Sequence, residues 1–208
     1  HNHKPIKGEA LSREQILDWL KEYRVSTKCW GTGTWRTLDD LVNYHQKDCV
    51  YFRTNGSDMP IIDVHAVIVK VRFQFMKEWL ELYEDRQEFR DPDGSVNVLR
   101  RNGFEGIADT LNHLEELDTG ARRCLREELN FCNPSRYVLS GLLETQQRDP
   151  MKSEKWHGLW AVYHRYVFEC IIHKDLFNPD GYVEQESGRH TIFFKWKPRD
   201  QEILPLVA

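Results

Sequence analysis

The sequence predicts an α+β fold preceded by a small helical extension, and three observations carry this. Residues 61–73 (IIDVHAVIVKVRF) are dense in β-branched side chains and long enough for a central strand. Ala121, Leu125 and Leu129 recur every four residues and make one apolar helical stripe. Strand-like segments stand on both sides of that helix, and strands, one helix, then more strands is an α+β order. The expected division is a helical extension over 1–60 and a main domain over 61–208.

In the extension, residues 11–24 form an amphipathic helix with Ile16, Trp19, Leu20 and Tyr23 on its apolar face. Ser12 is its N-cap, and Gln15 three residues on gives capping-box spacing. Gly31 and Gly33, between Trp30 and Trp35, suggest a tight loop. The acidic turn after Thr37 argues against phosphate binding there. Residues 37–48 make a second helix with Leu38, Leu41 and Val42 inward. The SDMP stretch at 57–60 then breaks the chain, and His1 and His3 read as an appended remnant.

In the main domain the central strand ends with Lys70 and Arg72 on one face. Leu80 and Leu82 alternate against Glu81 and Tyr83 in a second strand. DPDG at 91–94 is a turn, because Pro presets one backbone angle and Gly accepts the other. Residues 95–101 are a third strand ending in Arg100 and Arg101. Beyond the helix, residues 136–146, a long stretch from Val162 to Glu169, and 191–197 read as strands. Residues 173–190 read as a loop with PDG turn chemistry, and the apolar tail 203–208 is expected to dock on the body.

The central helix is capped in expectation by Asp118 or Thr119. Arg123 and Glu127, and likewise Cys124 and Glu128, sit one turn apart and can meet. Glu127 and Glu128, with Glu115 upstream, supply the oxygen ligands that a hard cation such as Mg²⁺ takes.

This stretch, residues 115–131, resembles the Nudix box: Gly, five residues, Glu, seven residues, Arg-Glu, an aliphatic, any residue, Glu-Glu, any residue, Gly, an aliphatic. Glu115, Arg123, Leu125, Glu127, Glu128 and Phe131 fall on its positions. Three positions depart: Asp109 and Asn130 stand for the two glycines, and Cys124 for the Glu after the Arg. Asn is the next best residue for a left-handed helix cap. A neutral thiol, by contrast, is a poor ligand for Mg²⁺. The resemblance implies a Nudix-like α/β/α sandwich with a mixed sheet. It implies a hydrolase that cleaves a nucleoside diphosphate linked to another group, with Mg²⁺ or Mn²⁺. It assigns Glu127 and Glu128 to the metal, and has Arg123 and Glu115 brace the loop–helix turn. Glu116, Glu144 and Glu184 are candidates to replace the ligand lost at Cys124. The alternative is a catalytically silent Nudix fold that binds a ligand or a protein.

Other residues carry weaker signals. Arg100 and Arg101 suit phosphate, because a guanidinium is bidentate. Trp156, Trp160, Tyr163 and Tyr166 are candidates for stacking, with a core role as the plainer reading. His157 and His164 read as structural, with no carboxylate partner at fixed spacing. Cys124 beside Arg122, Arg123 and Arg126 is expected to have a lowered thiol pKa.

At 208 residues the chain can bury a proper core. A net charge of −4 gives no electrostatic case for general nucleic-acid binding. No run of 18 apolar residues exists, so no membrane span is expected. Five cysteines without a CxxC pair favour a reduced intracellular compartment. The expected partner is a nucleotide-like or diphosphate small molecule, with a protein partner or a second copy left open.

Overall fold

The computed structural model describes residues 10–53, 59–101, 104–112, 115–186 and 188–199. The readings at 1–3, 57–58 and 203–208 lie outside the described residues. Helices α1 (Arg13–Glu22) and α2 (Leu38–Gln46) come first, followed by strands β1 (Val50–Phe52), β2 (Ile61–Phe75), β3 (Glu78–Arg90), β4 (Val96–Leu99) and β5 (Ile107–Thr110). Helix α3 (Leu117–Leu129) is followed by β6 (Tyr137–Leu139), β7 (Glu144–Gln147), β8 (Met151–Lys152), β9 (Trp160–Ile172), β10 (Tyr182–Gln185) and β11 (His190–Pro198). The class is α+β with a mixed sheet and few helices. No helix among the described residues is long and apolar enough to cross a membrane.

The chain forms two compact units. The first takes residues up to Ala66 together with Thr110–Glu115 and Gln147–His164. Its α1 begins at the Ser12–Gln15 capping box, and α2 at a matching box of Thr37 and Asp40. Both boxes satisfy backbone N–H groups that a helix start leaves bare. The core gathers Ile16, Trp19 and Leu20 from α1, Leu41 and Val42 from α2, Val50, Ile62 and Val64 from strands, and Trp156. Trp156 is 1% exposed, and its indole N–H donates to the Thr37 carbonyl at 3.0 Å. Its role is therefore core packing with a satisfied polar tip. Within this unit β1 pairs antiparallel with β2, and β8 with β9.

The second unit takes Val67–Asp109, Glu116–Gln146 and residues from Arg165 onward. Its strands run in the order β10-β11-β3-β2-β9-β6, with β4 on β3. The β-branched stretch of β2 buries Val67, Val69, Val71 and Phe73. Glu81, which alternates with Leu80 and Leu82, is only 3% exposed, and its cross-strand partner Arg72 is 8% exposed. The Arg72 guanidinium answers that burial by reaching Glu81 at 3.6 Å and pairing with Glu169. The single strand expected over 136–146 is two, β6 and β7. Ser140 breaks it, donating its backbone N–H to the Glu169 carbonyl while its hydroxyl accepts from the Glu169 N–H.

Two local features shape the sheet near α3. Between Phe193 and Phe194 the β11–β3 register skips Asp85, so β3 carries one extra residue there. This bulge resets the two-residue alternation. Leu82 and Glu84 are buried on one side of it, and Gln87 and Phe89 on the other. The second feature is β10, which the sequence reading left inside a loop. Gly181 introduces it at φ +84, where a Cβ would lie 1.9 Å from the Phe194 carbonyl oxygen. Only glycine allows that approach.

Candidate functional site

Helix α3 is the platform. Its N-cap is Glu116, which makes no side-chain cap bond, so neither Asp118 nor Thr119 caps it as expected. Asp118 lies inside the first turn instead and accepts from Arg122 at 2.9 Å, one turn on. Asn130 closes the helix in the left-handed conformation, φ 59 and ψ 32, as its place in the motif predicts. Gly120, Ala121, Cys124, Leu125 and Leu129 are buried.

Cys124 departs from expectation. It is 0% exposed, and burial followed by the neighbouring Glu128 charge pushes its thiol well above the ordinary range. The nearby guanidinium of Arg123 opposes this and loses. The thiol is thus a neutral packing group.

Arg123, the next residue back, is charged and partly exposed, with 22% of its side chain open. It pairs with Asp109 and with Glu127, the latter at 2.9 Å. Asp109 occupies the position where the box motif begins with Gly, and the sequence reading counted it only as a departure. Glu127 is half exposed at 50% and also stands 3.8 Å from Arg126. Glu115 lies just ahead of the N-cap, its N–H donating to the Asn112 carbonyl at 3.0 Å.

Glu128 lies against Glu184 of β10, and the two carboxyls are hydrogen-bonded. Two carboxyl groups can share a hydrogen bond only if one of them is protonated and donates. Burial comes first in pushing the Glu128 carboxyl well above the usual range, then the bond to Glu184 and the charges of Glu184, Asp109 and Glu186. Of the three replacement candidates, Glu184 is the one brought to the pair. Glu116 serves as the helix N-cap, and Glu144 is exposed on β7.

In ligand type the pair suits Mg²⁺ or Mn²⁺, since Mg²⁺ keeps several waters and is held through one or two carboxylates plus substrate phosphates. Among the described residues no group of three or more His, Cys, Asp or Glu forms a preassembled metal cage.

Arg100 and Arg101 both face carboxylates of β3. Arg101 reaches Glu84 through Nε at 3.0 Å and Nη2 at 2.6 Å, and lies over the Phe104 ring. Arg100 is 57% exposed and holds Asp85 at 3.2 Å. His164, read as lacking a carboxylate partner, has one: Nε2 lies 2.9 Å from Asp63 Oδ1. That pairing joins two strands 101 residues apart, which no local spacing reveals. Also missed were Gln87, Glu186 and His190. For Glu186 and His190 a signal existed in their separation of four residues, and the two side chains pair.

No family model matches the chain. Glutamyl-tRNA reductase of Chlamydia trachomatis serovar L2 is 37% identical over 79 residues, 38% of this chain. The chain spans about a fifth of that relative's length, 22%. Among solved structures, the C. elegans Ap4A hydrolase matches over 64% of this chain and 79% of its own, at 14% identity and a TM-score of 0.33. The NUDIX domain of Shewanella oneidensis NrtR, complexed with ADP ribose, matches over 65% and 73%, at 13% identity and a TM-score of 0.39. The Nudix hydrolase RenU from M. smegmatis matches over 64% and 70%, at 9% identity and a TM-score of 0.29. Likenesses this distant fix neither activity nor ligand.

Proposed function

We propose that the chain is a divergent Nudix-type pyrophosphohydrolase acting on a nucleoside diphosphate linked to another group. The observation that carries this reading is the contact of Glu128 with Glu184. The motif's second Glu of the pair is retained on α3, and a carboxylate from β10 comes to it where the residue one turn earlier is Cys124. In this reading Glu128 and Glu184 hold Mg²⁺ or Mn²⁺, and Glu127 is turned toward Arg123. The cation, when bound, neutralises phosphate charge and lowers the pKa of a bound water. Arg123, with Asp109 and Glu127, braces the start of the helix, and Glu115 supports the same turn. Arg100, the more exposed of the two arginines, is assigned to the diphosphate, while Arg101 is committed to Glu84.

A second reading, a silent Nudix fold that binds a nucleotide-like ligand or a protein, is favoured by one observation. Cys124 is wholly buried and offers no hard ligand. The test combines Mn²⁺ calorimetry with phosphate release from nucleotide sugars, dinucleotides and nucleoside triphosphates. The hydrolase reading expects Mn²⁺ binding and turnover, both lost in Glu128→Gln. Binding of ligand with no turnover at any Mn²⁺ concentration selects the silent fold.

A further inference from the structure

The sheet of the second unit has an open edge. Among the described residues its strand order stops at β6, which pairs with β9 alone. The stretch 137–143, YVLSGLL, contains no charged residue and no proline. Natural edges are commonly blunted by such residues, because bare N–H and C=O groups invite pairing with another chain. Here Val138 is instead 70% exposed and its cross-strand partner Ile171 37%. Leu142 and Leu143, both exposed, extend the apolar surface just beyond β6.

The backbone bonds to β9 fix which groups point outward. The Arg136 carbonyl accepts from the His173 N–H, and the Ser140 N–H donates to the Glu169 carbonyl, both at 2.8 Å. Both residues therefore turn their backbone groups toward β9. Antiparallel ladders alternate, so Val138, midway between them, does the same. Tyr137 and Leu139 turn their N–H and C=O groups the other way, off the sheet. That pattern is its own complement. About a two-fold axis through Val138, Tyr137 of one copy meets Leu139 of the other on both sides of the axis, and each such pair exchanges both N–H···O=C bonds. Val138 then faces its own counterpart in the non-hydrogen-bonded position, where side chains come closest. Ile171, Val138 and their two counterparts become one apolar stripe across the joined sheets. Arg136 falls opposite Ser140 of the second copy, so like charges do not meet there.

We propose that β6 is an interface for a second copy of this chain, paired antiparallel β6 to β6 with Val138 on the two-fold axis. An unrelated strand can satisfy the outward backbone groups, but it must bring its own apolar residue into register with Val138 and Ile171. A second copy supplies that residue by symmetry. The break at Ser140 keeps the shared ladder to the three residues of β6. The dimer is therefore reversible, held by the apolar stripe as much as by the backbone bonds.

The test is sedimentation of the full chain over a rising concentration series. The wild type should pass from monomer to dimer. Val138→Lys should stay monomeric and melt as the wild type does, because the position is exposed and two lysines would face each other across the axis. A wild type that stays monomeric throughout overturns the proposal, and so does a folded Val138→Lys that dimerises as before. A second variant reads the axis directly. Cys132 is an exposed free thiol, so the background is Cys132→Ser. There Val138→Cys places two thiols across the axis on Cα atoms about 4.5 Å apart, within the span of a disulfide. Oxidation by glutathione disulfide should link the copies, while Val183→Cys, exposed on β10, should stay unlinked. An unlinked Val138→Cys, or equal linking at Val183, overturns β6 as the shared edge, whether or not Val138→Lys folds.

Discussion

Asp63 takes hydrogen bonds from two directions at once. Arg53 grips both oxygens, at 2.6 and 2.8 Å, and His164 Nε2 reaches Oδ1 at 2.9 Å. Burial alone would raise this carboxyl, but the bonds from Arg53 and His164 prevail and hold it down to about 2. A depressed folded pKa means stability that is present above the unfolded value near 4 and lost as pH falls through the folded one. The melting temperature is expected to drop between about pH 4 and pH 2, and Asp63→Asn to remove that part of the drop. At neutral pH the variant should lose about 2 kcal/mol, read by urea unfolding. An acid limb identical in wild type and Asp63→Asn would contradict the pairing.

The Glu128–Glu184 pair carries the opposite sign. Burial, and then the bond to Glu184, raise the Glu128 carboxyl. Its contribution is fully present below the unfolded pKa and declines as pH rises toward the raised one. Metal-free protein should therefore melt lower at pH 8 than at pH 5, and Mn²⁺ should flatten that slope. Glu184→Gln removes the like-charge partner, so it is expected to flatten the slope without metal and to abolish Mn²⁺ binding. Melting curves at four pH values with and without Mn²⁺ check both arms.

Leu125 is 0% exposed on the buried stripe of α3. Leu125→Ala should cost about 2–5 kcal/mol, and Leu125→Asp should leave no folded protein, since a buried unpartnered charge costs still more. A Leu125→Asp melt that matched wild type would remove α3 from the core.

Cys124 and Cys132 stand eight residues apart in opposite surroundings, one at 0% exposure and the other open to solvent. Titration with a thiol reagent should modify Cys132 quickly in native protein and Cys124 only on unfolding, because the thiolate is the reactive form. Cys124→Glu is expected to lower the melting temperature, since the new carboxylate enters a buried site beside Glu128. A fast-reacting Cys124 would place it outside the core.

The parts of the fold written in local patterns were legible in the sequence. The Ser12–Gln15 box, the β-branched run of β2 and the Ala121–Leu125–Leu129 stripe each depend on neighbours within a few residues. Asn130 as a left-handed cap was legible for the same reason. The pairings that a strand ladder creates were not. His164 reaches Asp63 only after distant strands align, and Glu128 reaches Glu184 only after α3 meets β10. The thiol of Cys124 was misread because its three neighbouring arginines are visible in the sequence and its burial is not. β10 was missed because its four residues follow a turn signal that usually marks a loop.

The extra residue at Asp85 makes the length of β3 a conserved quantity in a mechanical sense. Deleting one residue anywhere between Glu84 and Gln87 would restore a plain ladder with β11. It would also rotate one half of β3 by a half-turn against the other, exposing Leu82 and Glu84 or else Gln87 and Phe89. Substitutions along this strand can be absorbed one at a time. A change in residue count cannot, so in any descendant of this chain insertions and deletions should fall in the connections and spare these four positions.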